Sequence, residues 1–415
     1  MNKNTISFTD AQAVMNSKLD ELVRQAAQKM IMTAVEAECE EFLQRHKGLT
    51  TSDKKQAVVR NGYHNKRQLT VNAGTVKIKI PRTRNRNNGE NFNSKLIPKY
   101  KRRSITIDEA IPILYLKGLS NNDIAPAMKS LFGNAVKGLS SGTVTRLKKD
   151  WLQEQRKWHK RSLSNKKYCY VWVDGIHFNL RLDESRLCVL VVMGATAEGK
   201  KELIAVEGGY RESSESWAVL LRDLRDRGMQ SPKLFIGDGA LGFWRAVRNV
   251  FPEADHQRCW VHKTANILDK MPKKIQPKAK NMIHEIYQSE TKKDALTAYK
   301  KFIQTYEAKY PRAVVCLTKD KDSLFSFYDF PAEHWQHIRS TNAIESSFAT
   351  VRLRTSKTRG QGSLEMTLAM VYKLLDEASK RWRKLRGAKL VSLVIDGKKF
   401  TDGNLKEDCD IEQTG

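Results

Sequence analysis

A short apolar run that ends on a carboxylate constrains this chain more than any other feature. Residues 168–175 read YCYVWVDG, and a run so rich in β-branched and aromatic residues is typical of a strand buried on both faces. Asp174 stands at the predicted exit of this strand. An acid at a strand end is either solvated or a metal ligand, so its role depends on what the next segments bring beside it.

The next segments predict an α/β sheet. Residues 186–195 and 201–210 each predict a further strand of an antiparallel meander, and residues 213–228 predict a helix that ends at a glycine. Ser213 or Ser214 is the expected N-cap of that helix.

A fourth strand over residues 233–236 leads to a second acid, Asp238, within GDG. A helix over 241–251 and a fifth strand over 254–260 complete the pattern. Three antiparallel strands, a helix and further strands are the order of an RNase H-like core, in which the first and fourth strands are central neighbours. The two acids could therefore share one metal.

The charge of the chain points to a polyanion as partner. The 415 residues carry a net charge of +28, and residues 53–160 alone hold 24 lysines and arginines against 7 acids. Membrane binding is the competing reading, but no apolar run reaches the roughly 18 residues of a spanning helix, and the start of the chain lacks a signal-peptide core. Six scattered cysteines without a CxxC pair indicate a reducing, cytoplasmic location.

The first half of the chain predicts a mainly α-helical DNA-binding region. Residues 9–47 predict one long helix or a helix pair, and residues 58–84 predict two strands around an Asn-Ala-Gly turn. Residues 85–104 are polar enough for a linker or a DNA-tracking arm. The apolar stripe of the first helix is either a packing face or a dimer interface; its members are Leu19, Leu22, Ala26, Met30, Ala34 and Ala37.

Residues 107–151 predict three helices separated by Gly-Leu-Ser turns. Ser120 is the expected N-cap of the second helix, and Ser140 or Ser141 that of the third. This pattern fits a helix-turn-helix whose last helix enters the major groove. The expected DNA contacts of this region and of the basic segment before it are Arg82, Arg84, Lys101, Arg102, Arg103, Ser141, Thr143, Thr145, Arg146, Lys148 and Lys149.

The second half returns to the sheet after a helical insertion over residues 264–335. Residues 337–355 predict a closing helix that places Glu345 beside an apolar face, with Arg352 two turns later on the same side. Glu345 has a structural alternative, because Asn342 as N-cap and an acid three residues on form a capping pair. Three acids on two strand ends and a helix are also what a two-metal phosphoryl-transfer site requires.

From residue 58 to residue 382 the sequence resembles the bacterial insertion-sequence transposases of the Mutator type, in the DDE, RNase H-like group. The segments that carry the resemblance are RNGYHNKRQLTVNAGTVKIKIPRTR, YLKGLSNNDIAPAM, VDGIHFNLRL, ESWAVLLRDLRDRG, IGDGALGFWRAV, FPEADHQRCWVHKTANIL and STNAIESSFATVRLRTSKTRG.

The resemblance implies that Asp174, Asp238 and Glu345 are the catalytic triad and hold two Mg²⁺ ions, which Mn²⁺ can replace. It implies a homodimer or larger oligomer that acts in the bacterial cytoplasm, at the nucleoid, and transposes through a circular intermediate. The substrates would be double-stranded terminal inverted repeats and target DNA. A structure-specific nuclease of the same fold, or a non-catalytic DNA-binding regulator, are the alternative functions.

The family signature Cys-x-x-His matches Cys259 and His262. With His256 nearby, zinc is one interpretation, but no distant CxxC or HxxxH completes a tetrahedron. We expect this pair to brace the fifth strand close to the active site, with Asn342 and Arg352 in supporting positions. The expected divisions of the chain are a helical region (1–52), a basic hairpin and linker (53–106), a helix-turn-helix (107–164), the first part of the core (165–263), the insertion (264–335), closing helices (336–390) and a tail (391–415).

Overall fold

The computed structural model describes residues 8–132, 141–179, 186–209, 213–239, 241–358 and 363–406. These divide into two compact units, Met1–Leu147 (the N-terminal unit) and Lys148–Gly415 (the C-terminal unit). Each unit has its own buried apolar residues, so each is described by itself.

The N-terminal unit combines helices with two small antiparallel sheets. Its elements are α1 (Phe8–Arg45), β1 (Val58–Tyr63), β2 (Arg67–Val71), β3 (Gly74–Ile78), β4 (Pro81–Asn85), α2 (Ile105–Leu116) and α3 (Asn121–Phe132). The next helix, α4 (Ser141–His159), crosses the boundary between the units.

The first helix is a single helix, but its buried face is not the predicted one. Val35, Cys39 and Phe42 are buried and pack with apolar residues of strands β1, β2 and β3. Leu19 and Met30 of the predicted stripe are 58% and 72% exposed. Among the side chains that the structure describes, the buried apolar residues of α1 lie in its C-terminal half.

The basic segment forms four strands rather than the predicted two. Strands β2 and β3 form a hairpin that turns between Val71 and Gly74, and β1 pairs with β4 around it. Gly62 has a φ of +66°, a left-handed conformation that suits glycine, where the β1–β4 register shifts.

The segment after β4 is not a free arm. The Glu38 carboxylate on α1 accepts hydrogen bonds from the Ser94 hydroxyl and from the backbone N–H groups of Lys95 and Leu96, at 2.5, 3.2 and 3.1 Å. These bonds tie the segment to the first helix.

The three helices predicted between residues 107 and 151 are present as α2, α3 and α4. Ser120 caps α3 as expected: its hydroxyl accepts from the Asp123 N–H, and the Asp123 carboxylate accepts from the Ser120 N–H, both at 3.3 Å. Residues 133–140, which include Ser140, lie outside the described residues, as does the side chain of Ser141. Insertion of α4 into the major groove stays a prediction.

The C-terminal unit is built on a five-stranded mixed sheet. The core elements are β5 (Tyr168–Asn179), β6 (Arg186–Thr196), β7 (Lys201–Gly209), α5 (Ser214–Asp226), β8 (Leu234–Gly237), α6 (Leu241–Val250) and β9 (Asp255–Arg258). The strand order is β7-β6-β5-β8-β9, in which β5, β6 and β7 are antiparallel and β8 and β9 run parallel to β5. This is the predicted RNase H-like order, and it confirms the fold class.

The helix α5 begins as predicted, because the Ser213 hydroxyl accepts from the Ser216 N–H at 3.1 Å. Its apolar residues and those of α6 are buried with the sheet in one cluster that includes Trp217, Leu221, Phe235 and Phe243. The first strand is longer than predicted, because pairing with β6 continues to Asn179, five residues past Asp174.

A helical block follows the sheet, as predicted, and the closing helices return to it. These elements are α7 (Trp260–Leu268), α8 (Gln276–Gln288), α9 (Lys292–Tyr306), α10 (Pro311–Thr318), α11 (Lys321–Leu324), a 3₁₀ turn (Ser326–Asp329), α12 (Ala332–Ile338), α13 (Asn342–Thr358), α14 (Leu364–Ser379) and α15 (Leu390–Ile395).

The segment expected to be a tail is folded as far as Lys406. Strands β10 (Phe400–Thr401) and β11 (Asn404–Leu405) form a short hairpin, and the Gly403 carbonyl accepts from the Ala332 N–H at 3.2 Å. In the part of the chain that the structure describes, no helix has the length and apolar character needed to cross a membrane.

Candidate active site

Two carboxylates meet at the centre of the sheet because of the register between β5 and β8. Tyr170 pairs with Leu234 and Trp172 with Ile236, so the same offset sets Asp174 level with Asp238, the first residue after β8. Asp174 lies within β5 rather than at its exit, since the strand continues along β6 after its pairing with β8 has ended. Both side chains are partly buried.

The third predicted acid lies in the first turn of α13. Ile344, Phe348 and Val351 of this helix are fully buried, and the helix packs against β5. Glu345 is partly exposed beside that face.

The N-cap of α13 is Thr341 and not Asn342. The Thr341 carbonyl accepts from the Glu345 N–H at 3.1 Å, so the helical bonding begins one residue earlier than the sequence suggested. Asn342 lines a cleft of about 340 Å³, together with the cationic side chains of Lys201, Arg381 and Arg383. The predicted capping pair between Asn342 and Glu345 is therefore wrong.

Asp238 and Glu345 both act electrostatically on Asp174. Burial, followed by the charges of Asp238 and Glu345, raises the pKa of Asp174 to about 7, although the Gly175 N–H opposes this through a hydrogen bond of 2.8 Å. The charge of His262 also lowers this pKa. Carboxylates that repel one another at a partly buried site gain stability when a cation binds between them.

This donor set suits a hard divalent cation. Oxygen atoms of Asp and Glu are the ligands that Mg²⁺ and Mn²⁺ prefer, and a site with few protein ligands leaves positions for substrate oxygens. The residues present therefore fit the ions that the sequence resemblance implied.

Cys259 and His262 contact Glu345 through a residue that the sequence reading missed. The Thr341 hydroxyl donates to Glu345 Oε1 at 2.5 Å, and it lies 3.3 Å from both Cys259 Sγ and His262 Nδ1. His262 Nδ1 is 3.8 Å from Glu345 Oε1. No local pattern marks Thr341, because Cys259 and His262 lie about 80 residues before it in the sequence.

Cys259 and His262 shift each other's pKa in opposite directions. Burial alone would raise the pKa of the Cys259 thiol, but hydrogen bonds from His262 and Thr341 lower it below its usual value. The hydrogen bond to Cys259 raises the pKa of His262 to about 9 against the effect of burial, and the charges of Cys259, Glu345 and Asp174 add to this.

The candidate zinc ligands in the structure include Glu345 instead of His256. Cys259, His262 and Glu345 have donor atoms within 4.8 Å of one another. His256 is not in this group. Its ring lies 5.0 Å from that of Trp244, and burial lowers its pKa.

The loop after β8 depends on a close approach by a buried arginine. A Cβ at Gly239 would lie 1.1 Å from Arg258 Nη1. Arg258 is 5% exposed, and its Nε is 3.5 Å from Asp320 Oδ2 in the helical block. Glycine next to Asp238 therefore leaves room for this guanidinium.

Three of the five DNA contacts predicted for the basic segment line an open cleft of the N-terminal unit. The cleft has a volume of about 1060 Å³ and is lined by seven lysines and arginines, with no acid among the lining residues that the structure describes. Arg82, Lys101 and Arg102 are among them. Arg84 is exposed but outside this lining, and Arg103 is bound to Asp108 at 2.7 Å with only 11% of its side chain exposed.

The predicted contacts on α4 differ in accessibility. Thr145, Arg146 and Lys149 are exposed, whereas Thr143 and Lys148 are partly buried. Arg352 on α13 is exposed, and its guanidinium lies 6.0 Å from the centre of the Phe348 ring. Their roles stay predictions.

The sheet order defines the class of this protein as an RNase H-like α/β protein. The chain matches the sequence model described as "Transposase, Mutator family" over residues 1–385. It belongs to the Mutator family of transposases, which confirms the resemblance found in the sequence.

Individual relatives agree with this assignment. The chain is 53% identical over 301 residues to the transposase of insertion sequence element IS6120 of Mycolicibacterium smegmatis, across 72% of this chain and 93% of the relative. It is 47% identical over 285 residues to that of element IST2 of Acidithiobacillus ferrooxidans, across 67% and 94% of the two chains.

A solved structure of the HTLV-2 integrase catalytic core domain in complex with magnesium also matches, with 14% identity and coverage of 32% of this chain and 93% of that one. Its TM-score of 0.18 is too low to support any conclusion about function.

Proposed function

We propose that this protein binds the terminal inverted repeats of its insertion sequence and catalyses cleavage and joining of DNA strands at Asp174, Asp238 and Glu345. The observation that carries the proposal is the parallel register of β5 and β8, which sets two acids level at the sheet centre. The effect of Glu345 on the pKa of Asp174 supports a third acid in the same cluster.

The three carboxylates would hold two Mg²⁺ ions, or Mn²⁺ in their place. When bound, such ions activate the attacking oxygen and stabilise the departing 3′ oxygen. The contribution of the chain is rigidity, because Asp174 and Asp238 are held by strands buried on both faces and Glu345 by a helix with a fully buried side. Fixed ligands align the reacting groups before the reaction begins.

The cationic cleft and the exposed cations of α4 would bind DNA phosphates. Seven cations around one opening neutralise several phosphates at once, and release of the condensed counterions drives the association. Sequence would be read by α4, as the helix-turn-helix order suggests.

We also propose that the exposed apolar side chains of α1 between Leu19 and Met30 pair with a second copy of the chain. Leu19, Val23, Ala26 and Met30 recur at intervals of four, three and four residues, which is the spacing of a coiled-coil seam. Leu19, Val23 and Met30 are 58%, 46% and 72% exposed. A dimer or larger oligomer would bring two element ends together.

Strand joining by purified protein tests the proposed chemistry. With Mg²⁺ and a duplex that carries an element end, wild-type protein should produce joined strands, and Asp238→Asn should lower the rate by orders of magnitude while DNA binding persists. Asp226→Asn is the matched control, since this acid on α5 is 71% exposed. Full activity in chelator, or an Asp238→Asn rate within a few-fold of wild type, would overturn the proposal. Cleavage without joining would favour the nuclease alternative.

A further inference from the structure

The strongest unassigned feature of the C-terminal unit is the hydroxyl group of Thr341. Thr341 is 0% exposed, and its hydroxyl contacts side chains from two separate elements. Cys259 and His262 stand at the start of α7, whereas Glu345 stands in the first turn of α13. One oxygen atom therefore connects the Cys-x-x-His segment to the third acid.

The bonding capacity of a hydroxyl determines how these contacts are arranged. A threonine hydroxyl donates one hydrogen bond and accepts two. At 2.5 Å from Glu345 Oε1, its proton belongs to the bond with the carboxylate, which is the stronger acceptor. The contact of 3.3 Å with His262 Nδ1 is then one in which the imidazole N–H donates to the hydroxyl.

Cys259 also binds the main chain of Thr341. The Thr341 N–H donates to Cys259 Sγ at 3.3 Å, and Sγ is buried. The backbone and the hydroxyl of Thr341 are thus fixed from the side of α7. Rotation of the hydroxyl away from Glu345 would disrupt its contacts with both Cys259 and His262.

We propose that Thr341 is a positioning residue that orients the Glu345 carboxylate for cation binding, with Cys259 and His262 locking its hydroxyl. The hydroxyl occupies one carboxylate oxygen and leaves the other for a cation. This inference rests on the proposed function of Glu345, and it gives the Cys-x-x-His segment a role in assembling the site.

The same contacts argue against a zinc ion held by Cys259, His262 and Glu345. Zn²⁺ binds sulfur at about 2.3 Å and nitrogen or oxygen at about 2.0–2.2 Å, so the ion must lie between its ligands. That position lies next to the Thr341 hydroxyl, which is within 3.3 Å of all three donor atoms. The Thr341 hydroxyl, a neutral group that donates one proton, fits the position among these donor atoms better than a Zn²⁺ ion does.

Mn²⁺ binding to the full-length protein without DNA tests the proposal. Thr341→Val removes the hydroxyl at similar volume, and Thr341→Ser retains it. We expect Thr341→Val to weaken Mn²⁺ affinity about 10–100-fold, as is typical when the partner of a ligand is removed, and Thr341→Ser to stay within a few-fold of wild type. The strand-joining rate at saturating Mn²⁺ should change less than the Mn²⁺ concentration required for half-maximal rate.

Each other outcome identifies which idea has failed. Wild-type Mn²⁺ affinity in folded Thr341→Val, with a lower melting temperature alone, would reduce Thr341 to a helix cap and overturn the inference. If Glu345→Gln also leaves Mn²⁺ affinity unchanged, the proposed function of Glu345 fails as well. Stoichiometric Zn²⁺ binding that is lost in Cys259→Ala would replace the inference with a soft-metal site.

A second variant covers the case in which Thr341→Val does not fold. His262→Ala removes the partner on the other side of the hydroxyl, and the His262 side chain is 34% exposed, so the loss of packing is smaller. We expect a reduction of Mn²⁺ affinity of a few-fold or more. Wild-type affinity in folded His262→Ala would contradict the proposed chain of contacts.

Discussion

The two units of this chain carry their functional charges in opposite ways. In the N-terminal unit, seven cations line one open cleft. In the C-terminal unit, burial and the charges of Asp238 and Glu345 raise the pKa of Asp174 to about 7. Many weak phosphate contacts add up, whereas a metal site depends on each ligand atom. We therefore expect a single substitution in the N-terminal unit to weaken DNA binding only in part. A single substitution among the three acids should abolish strand joining.

The largest expected effect among substitutions outside the three acids is at Gly239. Gly239→Ala forces the Arg258 guanidinium out of a space where a Cβ would lie 1.1 Å from Nη1, and Asp238 is the adjacent residue. A displacement of about 1 Å at a reacting site costs on the order of 10²-fold in rate. We expect strand joining to fall by about this factor, while DNA affinity stays unchanged.

Gly48→Ala is the matched control, because a Cβ at Gly48 meets no atom within 4 Å. Single-turnover joining assays on the two variants measure the difference. Wild-type activity in Gly239→Ala would mean that Arg258 can move without disturbing Asp238.

A smaller effect is expected from charge removal in the N-terminal unit. Arg82→Ala combined with Arg84→Ala removes two exposed cations from β4, so DNA affinity should fall several-fold. The slope of log affinity against log salt should decrease by about one for each phosphate that is no longer neutralised, or about two for the pair. Lys47→Ala with Lys55→Ala is the control, since these exposed lysines lie outside strands β1 to β4.

Binding titrations at several salt concentrations provide the slopes. An unchanged slope in the Arg82/Arg84 variant would remove β4 from the DNA interface. An equal decrease in the control would show that total charge, and not the position of the cations, determines binding.

The smallest effect concerns acid stability of the C-terminal unit. Burial, together with the charges of Lys201, His334 and Arg386, lowers the pKa of His337 to about 4. Its Nε2 accepts from the Arg386 N–H at 3.1 Å. Because unfolded histidine titrates near 6.5, the unfolded state binds this proton first, and stability falls as the pH decreases from about 6.5 to 4.

His337→Gln should flatten this part of the stability profile, by a few degrees of melting temperature at most, because the group is only partly buried. His64→Gln, at an exposed histidine of the N-terminal unit, is the control. Thermal melts of metal-free protein across this pH range test the expectation, and parallel profiles for wild type and His337→Gln would contradict it.

The sheet and two of the acids were predictable because their signals are local. An apolar run predicts each central strand, and the sequence offset between Asp174 and Asp238 equals the offset of the β5–β8 register. The cap of α5 at Ser213 follows from neighbouring residues in the same way.

Features set by distant contacts were not predictable. The sequence left the stripe around Leu19 open as a packing face or a dimer interface, and its exposure excludes packing within the described part of this chain. Thr341 gives no sequence signal either, since Cys259 and His262 lie about 80 residues before it in the sequence. Asn342 looked like the cap because Asn favours that position, and tertiary contacts moved the cap by one residue.

The central claim is that Asp174, Asp238 and Glu345 form one cation site that performs strand joining, and Glu345→Gln tests it most directly. The amide keeps the size of the side chain and can still accept from the Thr341 hydroxyl, but it removes the anionic oxygen. The measurement is the rate of Mg²⁺-dependent strand joining. We expect a loss of several orders of magnitude, with DNA binding and the metal-free melting temperature close to those of wild type. A joining rate within a few-fold of wild type would contradict the assignment of Glu345 as the third carboxylate.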